Sequence, residues 1–190
     1  MPAFAALPAM PAHASEVTIH ADGAASPNPG AGGCGVIVIR NGQRQELSDG
    51  FRSTTNNRME LMGVILGLRS LSGERSVVTI YTDSQYVANM FNGGYAEDWR
   101  RNGWRRNKGK HPALNPDLWD ELLNLSAQHE VRFVWVKGHA DHPENTRCDE
   151  LAVAARQGKD LPADDGYENP VVPESPQMSL FDLFERRRMT

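Results

Sequence analysis

Four acidic residues stand where strands or helices of the folded chain could bring their carboxylates together: Asp22, Glu60, Asp83 and Asp149. Carboxylate oxygens are the ligands that Mg²⁺ prefers, and a few carboxylates can hold two ions. Two ions about 4 Å apart can activate an attacking water and stabilise the leaving oxygen of a phosphodiester. The chain has no cluster of Cys or His with zinc-ligand spacing. Taken jointly, the four acids therefore predict phosphodiester chemistry that depends on Mg²⁺.

Each acid also has a simpler structural interpretation. Asp22 precedes Gly23 and can serve a turn. Glu60 can be an acid at the start of a helix. Asp83 can cap the helix that follows it, and Asp149 can favour the positive end of its helix dipole. These interpretations stay open for every acid taken singly.

The pattern of apolar residues predicts the elements that must position these acids. Strands are predicted at 17–22, 34–40, 43–51, 77–82 and 131–136, with a hairpin turn at Asn41-Gly42. Helices are predicted at 56–71, 84–91, 145–157 and from Asn115-Pro116 to about 129. This order predicts an α/β fold whose five-stranded mixed sheet has an antiparallel meander of three strands and two parallel strands, flanked by helices. If the first and fourth strands are neighbours, Asp22 and Asp83 lie at carboxyl ends of strands, where open α/β sheets carry active sites.

Length and composition predict one folded domain with two flexible ends. We expect a flexible arm over 1–15, the catalytic domain over 16–158 with core contacts that could reach 167, and an acidic, proline-containing tail over 159–190. No apolar run approaches the roughly 20 residues of a membrane helix. The two cysteines, Cys34 and Cys148, are far apart, which favours reduced thiols and a cytoplasmic protein. A monomer is the default expectation.

The charge distribution permits nucleic-acid binding although the net charge is −4. Six basic residues fall between Arg100 and Lys110, with Trp99 and Trp104 nearby. Cations interleaved with aromatic side chains are typical of surfaces that bind nucleic acid. A solvated charged loop is the alternative.

The stretches around the four acids resemble bacterial type-one ribonuclease H. The shared words include ADGAASPNPGAGGCG, TTNNRMELMGVILGL, YTDSQYV, DLW and VWVKGHADHPENTRCDELA, and the resemblance covers about 17–167. It implies a ribonuclease H-like fold and an endonuclease that hydrolyses the RNA strand of RNA–DNA hybrids, leaving 3′-hydroxyl and 5′-phosphate ends. It also implies two Mg²⁺ ions, with Mn²⁺ as a possible substitute. On this resemblance Asp22, Glu60, Asp83 and Asp149 fall on the family's metal-binding acids, and His139 falls on the histidine of a mobile loop that assists proton transfer or product release.

The same resemblance implies the substrate contacts. Asn28, Asn56, Asn57 and Gln85 match amides that contact the minor groove, where the 2′-hydroxyl distinguishes RNA from DNA. Thr55 and Arg58 match residues that face DNA phosphates, and the segment 99–111, with Trp99 and Trp104, matches a basic protrusion that grips the duplex. Turn chemistry is the alternative for the Asn residues, and helix capping is the alternative for Thr55.

The tail contains a short motif of its own. Gln177, Leu180 and Phe181, within QMSLF at 177–181, look like the peptide by which bacterial proteins dock on the DNA sliding clamp, which would link the chain to DNA replication. The alternative is an amphipathic helix over 180–187 that packs back on the domain.

Two other functions compete with RNA hydrolysis in hybrids. The first is a DNA-cutting nuclease on the same fold, against which the NNRMEL and KGH words argue. The second is a non-catalytic module that binds hybrids. Four carboxylates argue against the second, because a binder gains nothing from acids beside phosphates.

Overall fold

The first half of the sheet is an antiparallel meander of three long strands. In the computed structural model, which describes residues 15–71, 73, 75–107, 109–138 and 142–170, β1 (Glu16–Ala25) pairs with β2 (Gly30–Arg40), and β2 pairs with β3 (Gln43–Thr54). Asn41 and Gly42 both have positive φ, which the tight hairpin turn requires. The strands run further than the apolar pattern predicts, because pairing continues through small residues such as Gly32 and Gly33 that carry no periodic signal.

The second half of the sheet is parallel. β4 (Val77–Thr82) pairs with β1, and β7 (Glu130–Trp135) pairs with β4, which gives the strand order β3-β2-β1-β4-β7. The predicted five-stranded mixed sheet is confirmed. Because β1, β4 and β7 run in the same direction, their carboxyl ends meet at one edge of the sheet.

Six helices and a small hairpin complete the described part of the chain. The helices are α1 (Asn56–Arg69), α2 (Gln85–Asn92), α3 (Tyr95–Arg101), α4 (Pro116–Ser126), α5 (Pro143–Arg156) and α6 (Asp165–Glu168), and the hairpin pairs β5 (Arg105–Arg106) with β6 (His111–Pro112). The sequence does not predict α3, because only Ala96 of this helix is buried and the helix has no apolar stripe. Within the described ranges, none of the helices combines the length and the apolar character needed to cross a membrane.

The main core lies between the sheet and the pair α1 and α4. Trp119 of α4 is fully buried there, and its indole N–H donates to the hydroxyl of Tyr86 over 2.8 Å. The remaining large side chains that are fully buried come from the strands, α1 and α4: Ile19, Val36, Ile37, Met59, Leu61, Val64, Ile65, Leu68, Val78, Ile80 and Leu122. This core fixes the start of α1, and with it Glu60, against the end of β1.

Helix α5 packs so closely on β2 that glycine is required in the strand. A Cβ atom at Gly35 would lie 2.0 Å from the carbonyl oxygen of Cys148, so a larger residue would push the helix away. The Cys148 thiol donates to the carbonyl of His20 over 3.3 Å. Cys34 and Cys148 are both free thiols, and burial raises the pKa of each to about 12. The close packing holds α5, which carries Asp149, near the site edge of the sheet.

The segment after α5 returns to the domain. The amide of Arg52 donates to the carbonyl of Pro162 over 2.9 Å, and the Arg52 guanidinium forms an exposed ion pair with Glu168. Asp164 is buried and accepts a hydrogen bond from the Thr54 hydroxyl over 2.6 Å. The packed domain therefore extends through Glu168.

Candidate active site

Three of the four predicted acids meet at the carboxyl edge of the sheet. Asp22 lies in β1, Asp83 directly follows β4, and Glu60 projects from α1. One carboxylate oxygen from each residue lies within 4.8 Å of the others. Because the parallel register pairs His20 with Tyr81, Asp22 and Asp83 each come two residues after a matched pair and reach the same height.

The local structure removes the simpler interpretations of these three acids. Asp22 lies inside a paired strand rather than in a turn. Glu60 is the fifth residue of α1, whose N-cap is Thr55, and α1 has no acid in its first turn. The cap of α2 is Ser84, whose hydroxyl accepts the amide of Val87, so Asp83 is not needed there. The structure therefore leaves all three acids available for the joint interpretation, which stays a prediction.

The electrostatics of the cluster disfavour three ionised carboxylates. Burial, and then the negative charges of Asp22 and Asp83, raise the pKa of Glu60 well above its ordinary value, while a hydrogen bond from the Gly23 amide opposes the rise. The Glu60 Oε2 atom is buried and accepts no hydrogen bond from the described residues. A divalent cation bound by these carboxylates would offset their mutual repulsion, and an oxygen-only donor set suits a hard ion such as Mg²⁺.

Asp149 lies outside this group of three. It is the seventh residue of α5, and the acid in the first turn of that helix is Glu144, so the helix-start role does not fit Asp149. Ligands of two ions roughly 4 Å apart need not all touch one another. The assignment of Asp149 as a fourth metal ligand stays a prediction.

Two residues that no sequence motif singles out lie against the Asp83 carboxylate. Asn145 is 1% exposed, and its side-chain amide donates a hydrogen bond to Asp83 Oδ2 over 3.4 Å. A Cβ atom at Gly138 would lie 2.4 Å from the same oxygen, so glycine is required for this approach. Asn145 stands inside the word HPENTRCDELA, and its burial among polar neighbours is visible only in the fold.

The four predicted groove amides differ in their contacts. Asn28 and Asn56 are linked, because the Asn28 side chain accepts the backbone amide of Asn56 over 3.2 Å and the Asn56 side chain accepts that of Ala25 over 2.6 Å. Asn57 is exposed one turn before Glu60, and Gln85 is exposed two residues after Asp83. The contacts of Asn28 and Asn56 are also the turn chemistry of the alternative, so binding by these amides stays a prediction.

Arg58 is placed inside the protein rather than on the surface that would face a phosphate. It is 3% exposed, and it binds Asp164 through Nε and Nη2 and Asp117 through Nη1 and Nη2, with distances of 2.6–3.0 Å. Burial acts to lower the pKa of Arg58, but the two carboxylates outweigh it and raise that pKa. We call Arg58, Asp117 and Asp164 the clasp. It turns the guanidinium inward, and Thr55 beside it accepts the Arg58 amide over 3.4 Å as the cap of α1.

The two predicted tryptophans of the basic segment are partly buried. Trp99 and Trp104 both pack against the main core, and the Trp99 ring meets Trp119 edge-on with centroids 6.3 Å apart. Arg100 and Arg101 of the same segment are exposed, and they bind Asn124 and Asp98 respectively. This surface exposes arginine side chains that can contact the phosphates of a duplex. Part of each indole, in contrast, is buried against the core.

Some predicted residues lie outside the described residues. These are His139, the clamp-like peptide with Gln177, Leu180 and Phe181, and positions 1–14 of the predicted arm.

Comparison with known proteins decides the family. The family model described as RNase H matches residues 14–157, most of the chain. The chain belongs to the RNase H family. Among similar proteins, a Ribonuclease H of Desulforamulus reducens is 60% identical over 149 residues, covering 78% of this chain and 92% of that one. A Ribonuclease HI of Synechocystis is 49% identical over 154 residues, covering 80% and 95%. The resemblance to type-one ribonuclease H is confirmed.

Solved structures agree with this family. LC9-RNase H1, a type 1 RNase H with the type 2 active-site motif, matches with a TM-score of 0.69 and 31% identity over 80% of this chain and 76% of its own. LC11-RNase H1, solved in complex with an RNA/DNA hybrid, matches with a TM-score of 0.58 and 25% identity over 74% and 96%. The family depends on divalent metal ions, which agrees with the acidic cluster of Asp22, Glu60 and Asp83.

Proposed function

We propose that this chain is an endonuclease that hydrolyses the RNA strand of RNA–DNA hybrids with Mg²⁺ as its cofactor. The observation that carries the proposal is the group of Asp22, Glu60 and Asp83 at the carboxyl edge of the sheet, with one carboxylate oxygen of each within 4.8 Å of the others. The similarity to named ribonucleases H, and to a relative solved with an RNA/DNA hybrid, supports the choice of substrate.

The four acids would bind the metal ions, and the position of the ions would promote hydrolysis of the phosphodiester. Asp22, Glu60 and Asp83, with Asp149 as the fourth ligand, offer only oxygen donors. Two bound Mg²⁺ ions would help to activate the attacking water and to stabilise the leaving 3′ oxygen. The water oxygen bonds to phosphorus and the P–O3′ bond breaks, which leaves a 3′-hydroxyl and a 5′-phosphate. Mn²⁺ accepts the same donors and could substitute for Mg²⁺.

The remaining predicted residues would select and orient the substrate. Asn28, Asn56, Asn57 and Gln85 carry amides that can both donate to and accept from a 2′-hydroxyl. Exposed arginines of the segment 99–111 would contact phosphates. His139 follows Gly138 in the sequence, and a neutral imidazole beside the ions could accept or return a proton.

The test is cleavage of an end-labelled RNA–DNA hybrid in Mg²⁺, beside duplex DNA and duplex RNA of the same sequence. We expect cleavage of the hybrid alone, loss of cleavage with a chelator, and products with 3′-hydroxyl ends. Cleavage of duplex DNA would support the DNA-cutting alternative. Tight binding of the hybrid with no cleavage in Mg²⁺ or Mn²⁺ would support the binding-module alternative.

We also propose that the tail docks on the DNA sliding clamp and brings this activity, as a cytoplasmic monomer, to sites of DNA replication. The proposal rests on sequence: Gln177 can hydrogen-bond at the rim of a pocket that Leu180 and Phe181 fill. A titration of the clamp with the full chain should show binding that the double variant Leu180→Ala, Phe181→Ala loses and Glu174→Ala keeps. Equal binding by the wild type and the double variant would exclude clamp docking through this peptide.

A further inference from the structure

Trp135 occupies an unusual place at the end of β7. It is the last residue of the strand and is 45% exposed, whereas Phe133 on the same strand is 6% exposed. Its indole Nε1–H donates to the backbone carbonyl oxygen of Asp83 over 2.9 Å. An indole that is nearly half in solvent contributes little to the core, so burial alone does not account for a tryptophan here.

The indole hydrogen bond lies just beyond the last backbone hydrogen bond between β4 and β7. Thr82 and Trp135 form the last register pair between β4 and β7, and the Val136 amide donates to the Thr82 carbonyl over 3.0 Å. Asp83 is the next residue and has left the strand. The Trp135 side chain therefore supplies the donor that the neighbouring strand would otherwise provide, and it ties down the peptide group that follows the Asp83 Cα atom.

The hydrogen bond from Trp135 restrains Asp83 from the side of the sheet on which β7 lies. The carboxylate is already approached by the Asn145 amide and by the Gly138 backbone. The indole fixes the other end of the residue, its main chain, and so limits the rotation that would swing the carboxylate away from Asp22 and Glu60. Reacting groups lose large factors in rate when they move by about 1 Å.

We infer that Trp135 is a positioning residue that holds Asp83 in the acid cluster through its indole N–H. The inference rests on the proposed function of Asp83 as a metal ligand. It concerns the hydrogen-bond donor and not the aromatic surface, and this distinction decides the choice of variants.

The test compares Trp135→Phe, which keeps an aromatic ring but removes the donor, with Trp135→His. In His, Nε2 can take the position of the indole Nε1, so the neutral imidazole can restore the donor. We expect Trp135→Phe to lower kcat for hybrid cleavage by roughly tenfold. We expect KM to stay unchanged and Mg²⁺ affinity, measured by calorimetry without substrate, to fall several-fold. Trp135→His at pH 8 should recover most of both losses, and the thermal midpoints of the three proteins should agree.

Three results would overturn the inference: unchanged kcat and Mg²⁺ affinity in Trp135→Phe, an effect on KM alone, or equal losses in the Phe and His variants. An effect on KM alone would instead indicate that the exposed indole contacts the substrate. Failure of the proposed function has a separate signature, because in that case the wild-type chain would not cleave the hybrid, or Asp83→Asn would remain active.

Discussion

Two groups of carboxylates meet side chains near the start of α1, the clasp at Arg58 and the acid cluster at Glu60, and they differ in what stabilises their charges. In the clasp, Asp117 and Asp164 share the guanidinium of Arg58, which satisfies them with hydrogen bonds of 2.6–3.0 Å. In the acid cluster, three carboxylates lie together, burial and the charges of Asp22 and Asp83 raise the pKa of Glu60, and Oε2 of Glu60 has no hydrogen-bond partner among the described residues.

The difference separates a structural use of acids from a chemical one. Arg58 and Glu60 are two residues apart on the same helix, so the difference arises from the partners and not from the helix. Burial of a charge is tolerated when a partner compensates it, and a site that lacks a partner raises pKa values or recruits an ion. We therefore expect the clasp to stabilise the fold. The acid cluster should be required for turnover, and without metal it should lower the free energy of unfolding.

The largest expected effect is the loss of turnover when an acid of the cluster is neutralised. Asp83→Asn keeps the shape of the side chain but weakens its binding to Mg²⁺, so we expect hybrid cleavage to fall by at least about 10³-fold. Removing one of three repelling charges should leave the metal-free thermal midpoint equal or higher. The two quantities are checked by single-turnover cleavage and calorimetry, and full activity of this variant would refute the metal assignment.

The clasp should show the reverse behaviour. Arg58→Ala leaves Asp164 buried without its cation, and breaking a buried pair in this way costs about 3–5 kcal/mol of unfolding free energy. For a chain of this size the thermal midpoint should fall by roughly 10 °C. Arg52→Ala is the matched control, because its ion pair with Glu168 is exposed, and its midpoint should change by no more than about 2 °C. Similar shifts in both variants would show that the clasp does not stabilise the fold.

The raised pKa of Glu60 predicts how metal-free stability depends on pH. The folded chain keeps the Glu60 proton to a higher pH than the unfolded chain, so the folded state binds more protons above the ordinary Glu value of 4.5. Stability should therefore fall as the pH rises above that value. Glu60→Gln should flatten this part of the curve and raise the midpoint at pH 8 by a few degrees. A parallel pH profile in the variant would contradict this electrostatic account.

The smallest expected effect separates the two interpretations of Thr55. If Thr55 serves as the cap of α1, Thr55→Ala should cost about 1 kcal/mol of stability and leave KM for the hybrid unchanged. If Thr55 also faces a DNA phosphate, KM should rise as well. Thr55→Ser, which keeps the hydroxyl, should restore both quantities to near the wild-type values.

The sequence predicts the sheet better than the surface helices. Apolar strands such as 77–82 and the turn at Asn41-Gly42 carry local signals that tertiary structure does not override. Helix α3 has no such signal, because its charged residues face solvent and only Ala96 is buried. The buried position of Asp164 also has no local signal, since it depends on a partner 106 residues away in the chain.

The residues of the candidate site also differ in whether the sequence predicts their roles. Asp22, Glu60 and Asp83 can be predicted from their places beside strands and in a family motif, and the structure brings them together. The roles of Asn145 and Trp135 cannot be predicted in this way, because an amide and an indole acquire their partners only when β7 and α5 meet the end of β4. For Arg58 the motif match predicts contact with a phosphate at the surface. The structure instead buries this side chain against two carboxylates that are distant in the sequence.

The most direct measurement is calorimetric titration of Mg²⁺ into the wild-type chain, Asp83→Asn and Asp164→Asn. Each variant replaces one carboxylate by an amide, one in the acid cluster and one in the clasp. The account predicts that Asp83→Asn loses Mg²⁺ binding, whereas Asp164→Asn binds like the wild type although it is less stable. Undiminished binding by Asp83→Asn, or equal losses in both variants, would contradict the proposal that the acid cluster is the cation site.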